Sequence, residues 1–315
     1  MSGGKKMKEV LERIEKLSHK KSDSLAEKMK DFAEFAPFYD DDIAALEYSA
    51  PQRAAKVLSD VVEEDSHCDK GAMSIIDFAA GTGLVCKHLR ELGFSGAIDG
   101  QDGSDAMLAI GAPLYSRTFC FILEEGAKIP PELSGGGYDA SVMCGGFSPS
   151  QVGVGCLRFM VDSVRCGGYV VFTTRLNPSN LEFAERLEKK CSDLEEEGTW
   201  KLLSRLRVEN FELTTNENEK TSKSNYIPGV VLCYQKIVWG HHFCFQTSDS
   251  LNSMLINLWV IFKIVTSYSQ QSLLILCDNG KNTFKATANK VSKPCVRCWV
   301  LPASIFFGIS KLCIC

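Results

Sequence analysis

Apolar positions along the chain change their period at about residue 73. Before it, residues 7–31 carry Val10, Leu11, Ile14 and Leu17 with Lys and Glu between them, and a polar stretch from His19 to Ser24 interrupts the pattern. That spacing keeps the apolar side chains on one face of a helix, so one or two solvated helices are expected. A further helix is expected within 39–63. Pro51 suits a first helical turn, where its missing N–H costs nothing, and Ala54, Ala55, Val57, Leu58, Val61 and Val62 follow as its apolar stripe.

After residue 73, short apolar runs alternate with helical segments. Strands are expected over 74–79, 96–102, 118–123, 138–144 and 169–174, with helices over 84–92, 105–110 and 152–164. Such alternation describes an α/β fold, a doubly wound and mostly parallel sheet covered on both faces. A charged amphipathic helix over 180–200 comes next. Two strands over 208–215 and 227–235, joined by the polar TNENEKTSKSNY, complete the sheet as an antiparallel pair. No repeat of fixed period is present.

Composition changes this picture in one place. The whole chain of 315 residues has 45% hydrophobic and 23% charged residues and a net charge of −4, which disfavours a general nucleic-acid coat protein or an anionic-membrane binder. Split after Lys236, however, the first part has 28 basic and 37 acidic residues and the remainder 7 and 2, so net charges of −9 and +5. Three regions follow: an N-terminal helical extension over 1–30, a catalytic-type α/β domain over 31–236, and a low-charge, cysteine-rich tail over 237–315. The tail is expected to be poorly ordered, with a weak membrane-surface anchor over 251–265 as the rival reading. No secretory signal opens the sequence and no apolar run reaches the 18 residues a membrane span needs. Fourteen cysteines scattered through apolar stretches then read as reduced thiols of a cytosolic protein. A monomer or weak oligomer is expected.

The candidate chemistry lies in the loops after the strands. Asp77-Phe78-Ala79-Ala80-Gly81-Thr82-Gly83 joins the first strand to a helix. Glycines there let the backbone turn sharply and approach a ligand. An acidic residue ending the second strand can bind both hydroxyls of a ribose. Asp102, 19 residues after Gly83 and followed by the turn Gly103-Ser104, suits that role, with Asp99 as the competitor. A dinucleotide fingerprint wants a third glycine or alanine three positions on, where this chain has Cys86. A nicotinamide-dependent oxidoreductase is therefore the weaker reading.

Together the Asp77-x-x-x-Gly81-x-Gly83 loop, Asp102-Gly103-Ser104 with Met107-Leu108, Tyr138-Asp139-Ala140, and Arg165-Cys166-Gly167-Gly168 resemble a class I S-adenosylmethionine-dependent methyltransferase. Phe38-Tyr39-Asp40, Tyr48-Ser49-Ala50-Pro51, Thr173-Thr174-Arg175 and Gly198-Thr199-Trp200 extend the resemblance over about 30–236. It implies a Rossmann-like, seven-stranded sheet with its last strand reversed, and S-adenosylmethionine as cofactor. Asp77, Ala79, Gly81, Thr82 and Gly83 would line the cofactor's amino-acid end, Asp102 its ribose, and Gly103 and Met107 its adenine. The family usually has glycine where this chain has Ala79. Glu124 and Glu125 both occupy the adenine region after the third strand. Tyr39 and Tyr48 either close over the cofactor or pack the N-terminal helices onto the sheet.

Cys144-Gly145-Gly146 ends the fourth strand, where methyl donor and acceptor would meet. With no basic partner nearby in sequence, Cys144 reads better as a buried thiol than as a nucleophile. No acceptor signature or basic stripe is present, so a small-molecule acceptor is expected, a protein acceptor stays open, and nucleic acid is not expected. A cofactor-binding protein without turnover is the alternative from another class. Cys295, Cys298, Cys313 and Cys315 with His241, His242 and Cys244 lack zinc-finger spacing. No metal is expected.

Overall fold

A computed structural model describes residues 2–19, 24–127, 129–149, 151–219, 224–237, 272–277, 284–289 and 298–300. The chain divides into two compact units, Met1–Cys244 and Phe245–Cys315.

In the first unit, helices α1 (Ser2–His19), α2 (Leu25–Phe35), α3 (Tyr39–Ala45) and α4 (Ala50–Glu64) precede the sheet. Pro51 does open α4, and the helix buries Ala54, Ala55, Leu58 and Val62. Strand β1 (Ile75–Phe78), helix α5 (Leu84–Glu91), β2 (Ile98–Asp102), α6 (Asp105–Gly111) and β3 (Arg117–Cys120) follow. Then come α7 (Pro131–Ser134), β4 (Tyr138–Met143), α8 (Leu157–Ser163), β5 (Val164–Arg175), α9 (Leu181–Glu196), β6 (Trp200–Leu213) and β7 (Tyr226–Lys236).

The seven strands lie in the order β3-β2-β1-β4-β5-β7-β6. The strands β1 to β5 pair in parallel, while β7 runs antiparallel to both β5 and β6. The expected seven-stranded, mostly parallel sheet with a reversed last strand is therefore present. That order departs from the 3-2-1-4-5-6 of dinucleotide-binding sheets, because the reversed β7 is inserted before β6.

Alternate side chains of each strand serve opposite faces. Ile76, Val170, Phe172 and Leu232 meet Leu157, Met160 and Leu187 on one side. Ile75, Val142, Tyr169 and Val231 meet Leu58, Val85 and Leu89 on the other. All four residues of β1 are buried, as expected for a strand covered on both faces.

Several boundaries differ from the sequence pattern. The apolar run 118–123 is paired only to Cys120, because β3 is an edge strand with three of four residues exposed. Ile122 and Leu123 turn into the cleft instead. The helix expected over 152–164 shortens to α8, preceded by a 3-10 turn at Val154–Cys156. The helix expected to reach residue 200 ends at Glu196, since Gly198 turns the chain at φ 72°. Trp200 opens β6 and stacks on Tyr234, with ring centroids 4.0 Å apart.

In the second unit the described residues form a three-stranded antiparallel sheet of β8 (Ser272–Cys277), β9 (Phe284–Asn289) and β10 (Cys298–Val300). The anchor candidate over 251–265, most of the cysteine–histidine set, and the expectation of poor order for the remaining tail lie outside the described residues. Among the described residues no helix is long and apolar enough to cross a membrane.

Candidate functional site

The chain runs from β1 outward to β3, then returns to place β4 on the other side of β1. The strand ends part at such a switch point and leave a crevice at their carboxyl ends. A cavity of about 440 Å³ lies there, and α1 and α2 contribute Ile14, Leu17, Met29 and Phe32 to its wall.

The loop after β1 forms its floor. Ala79, Gly81 and Gly83 have φ of 50°, 55° and 91°. A side chain at Gly83 would meet Leu114 at 2.8 Å, whereas a Cβ at Gly81 would have nothing within 4 Å. Ala79 and Gly81 line the cavity. Thr82 and Gly83 do not, and serve the loop itself. Thr82 donates to Asp40 at 2.6 Å, tying the loop to α3, and Gly83 precedes α5.

Asp77 lies beneath this loop, buried. It accepts a 2.7 Å hydrogen bond from Tyr115 on Oδ2, and its Oδ1 has no partner. Burial pushes its carboxyl up to about 7, against the pull of the Tyr115 bond. Tyr115 carried no signal in the sequence, because only the fold brings it back under β1.

Asp102 lines the cavity at the end of β2. Its two oxygens accept from the N–H groups of Gly81 and Ser104, each at 2.8 Å. Burial raises its pKa, while these backbone donors oppose the rise. The competitor Asp99 is used elsewhere: Arg117 and Tyr138 both donate to it at 2.6 Å. Gly103 and Met107 also line the cleft, and a Cβ on Gly103 would lie 2.6 Å from the Met29 sulfur of α2.

Glu124 and Glu125 are exposed and absent from the cavity wall. Glu125 instead accepts from the Gly155 N–H at 2.8 Å and braces the turn before α8. Ile122, near Gly103, and Leu123 line the cavity in that region.

Tyr39, Tyr48, Cys144 and Gly145 line the same cavity. The Tyr48 hydroxyl lies 3.8 Å from the Cys144 sulfur, and Thr173 reaches the same sulfur at 3.7 Å. Gly145 donates to Thr173 at 3.0 Å. Tyr48 also packs edge-on against Phe211, so its ring both braces the fold and faces the cleft. Burial pushes the Cys144 thiol up to about 12 and raises both phenols. All three groups stay protonated at neutral pH, which leaves Cys144 a poor nucleophile.

Sequence reasoning assigned no role to Arg175, Asn177 or Glu212, which complete the wall beyond Tyr48. The Thr173-Thr174-Arg175 motif marked the first. Glu212 comes from β6 and had no local signal. Among the described residues no group of three or more His, Cys, Asp or Glu side chains could hold a metal ion.

No family model matches the chain. It is 36% identical over 178 residues to human methyltransferase-like protein 27, covering 56% of this chain and 69% of that protein. Among solved structures it resembles the methyltransferase in complex with the Haloferax volcanii Trm112 methyltransferase activator, at 12% identity and a TM-score of 0.49, over 70% of this chain and 100% of that one. A TehB-like S-adenosylmethionine-dependent methyltransferase from Corynebacterium glutamicum is 15% identical with a TM-score of 0.42, over 66% of this chain and 98% of that one.

Proposed function

The chain belongs to the family of class I S-adenosylmethionine-dependent methyltransferases that includes methyltransferase-like protein 27, and from that premise we propose that it methylates a small molecule in the cleft described above. It is an enzyme, and S-adenosylmethionine is its cofactor.

The observation that carries the assignment of the site is the Asp102 carboxylate, held at the cleft by two backbone N–H groups beside the open face of Gly81. The residues fit this cofactor. Gly81 leaves a cradle that any side chain would fill, and Asp77 keeps a buried oxygen without a partner. In this reading Asp102 takes the ribose hydroxyls, and Ala79 and Gly81 receive the amino-acid end above Asp77. Gly103, Met107, Ile122 and Leu123 enclose the adenine. Tyr39 and Tyr48 with Cys144-Gly145 bound the place of transfer.

The cofactor supplies a methyl group already activated by its sulfonium. What remains for the protein is positioning and exclusion of water. Uncharged Tyr39, Tyr48 and Cys144 suit that task, because none of them competes as a nucleophile at neutral pH. Helices α1 and α2 close the cleft with apolar side chains. Among the described residues Cys68, Cys86, Cys120, Cys144, Cys156, Cys191 and Cys233 are free thiols, in keeping with a reduced setting. A monomer or weak oligomer without nucleic-acid partners is our reading of the assembly.

Calorimetry on the full chain tests this. S-adenosylhomocysteine should bind, NADH should not, and Asp102→Ala should weaken binding by roughly ten- to a hundredfold, the worth of a charge-assisted hydrogen bond. Binding of NADH alone would overturn the proposal.

A further inference from the structure

The far wall of the cleft has a chemistry of its own. Arg175 ends β5, Asn177 and Asn180 follow it, and Glu212 faces it from β6; all four line the cavity. Arg175 donates its Nε–H to Glu212 at 2.8 Å. Among the described residues no protein group accepts from its two Nη nitrogens, and the side chain is 35% exposed although Glu212 is only 7% exposed. Its Cζ also lies 5.9 Å from the centre of the Tyr48 ring. A guanidinium pinned through Nε presents its remaining N–H groups along a fixed edge, which matches the paired oxygens of a carboxylate or phosphate.

Asn177 adds a second, independent feature. Its Nδ2 donates to Ser179 at 3.0 Å and to Glu219 at 2.6 Å, which sets the direction of the amide. The amide oxygen Oδ1 is then buried without a partner. A buried acceptor left unpaired is unfavourable, so a ligand bearing a donor is favoured there. The carboxylates of this wall are already engaged, Glu212 by Arg175 and Glu219 by Asn177 and the Ser179 N–H. An anion therefore finds unused donors here, whereas a cation finds no unused carboxylate.

We propose that this wall is the acceptor site and that it takes a small anionic molecule, its carboxylate or phosphate on the open edge of Arg175 and a hydroxyl or amine donor on Asn177. The proposal rests on the methyl-transfer reading given above. The Coulombic pull of Glu212 keeps the guanidinium charged at any physiological pH.

The test is methyl transfer by the full chain from labelled S-adenosylmethionine into a cell extract. Precipitated protein is counted separately, and the small molecules are resolved by anion and cation exchange. S-adenosylhomocysteine calorimetry runs in parallel. Label should collect in small molecules retained by the anion exchanger. Phosphatase treatment of the extract beforehand separates the two sources: label lost identifies a phosphate ester, and label kept identifies a carboxylate.

Arg175→Gln should raise KM for the purified acceptor by roughly ten- to a hundredfold while S-adenosylhomocysteine still binds. Arg175→Lys should raise it less, because the charge stays and the fork is lost. Glu212→Gln keeps an acceptor for Nε and uncovers the positive charge, so KM should fall. A merely structural ion pair would not produce that fall. Label in protein, in a cationic or neutral product, or in no fraction at all overturns the proposal, as does an equal loss of S-adenosylhomocysteine binding in Arg175→Gln. Failure of the wild type to bind S-adenosylhomocysteine instead overturns the reading beneath it.

Discussion

An L-residue in the left-handed region sets its Cβ against the backbone at a cost of about 1–2 kcal/mol, and Ala79 sits there at φ 50°. A Cβ on Gly146 would come within 2.8 Å of the Met143 sulfur and 3.1 Å of the Ala79 methyl. Ala79→Gly relieves the strain but adds freedom to the unfolded chain, worth about 0.4–1 kcal/mol. The variant should be as stable as the wild type or more so by up to about 1.6 kcal/mol. Ala79→Val, with a branched side chain at positive φ, should be clearly destabilised. Thermal unfolding of the two variants checks both signs. Asp77 stores strain of an electrostatic kind. Its carboxyl is raised from 3.8 to about 7, so between those values the folded state binds more protons than the unfolded one. Its contribution to stability therefore falls as pH rises through that window and is least favourable above 7. Asp77→Asn can still accept from Tyr115 without burying a charge. The apoprotein variant should exceed the wild type by about 1–4 kcal/mol at pH 8, and the gap should close toward pH 4. Urea midpoints across that range would show it, and a gap that does not change with pH would contradict it.

At the scale of elements, the N-terminal helices matter to the site because they form part of its wall. Arg13 of α1 donates through Nε and Nη2 to the two oxygens of Asp42 on α3, both at 2.6 Å, and Asp42 is 1% exposed. Arg13 also lies over the Phe38 ring. Removing the arginine leaves a buried carboxylate unpaired, although partial exposure of Arg13 screens the pair. Arg13→Leu should destabilise by about 1–2 kcal/mol, speed proteolysis within residues 7–17, and weaken S-adenosylhomocysteine binding. Unchanged protease sensitivity together with unchanged affinity would show that α1 does not depend on this tether. The other elements show why boundaries mislead. The 180–200 pattern reads as one helix until Gly198 turns the chain, and Ile122 and Leu123 line the cleft rather than extend the strand. Local periodicity reports that side chains are buried, but not against what.

For the whole molecule, the relevant border lies slightly beyond the change in composition. Lys236 donates to the carbonyls of Val161 and Val164, and the Ile237 N–H donates to Thr199 at 3.0 Å. A chain ending after Cys244, the border of the first compact unit, should fold and retain S-adenosylhomocysteine affinity. One ending at Gln235 should lose stability, by about 0.5–1.5 kcal/mol for each hydrogen bond removed. Circular dichroism melts of the two truncations compare them directly. The alternating pattern was enough to read the doubly wound sheet, and the Asp77-to-Gly83 loop, Asp102-Gly103-Ser104 and the other motifs carried the resemblance to the family. Each of these is a local relation between a strand, its turn and the next helix. The partners that make the site specific come from far along the chain: Tyr115 under Asp77, Met29 against Gly103, Glu125 withdrawn to Gly155, and Glu212 beside Arg175. Side chains 30 or more residues apart meet only when the sheet order and the reversed β7 are in place. The sequence by itself determined the scaffold and the loops that line the crevice at its strand ends. Tertiary structure alone decided which charges stand paired there and which donors remain free, because the burial and distance that set those energies are properties of the assembled fold.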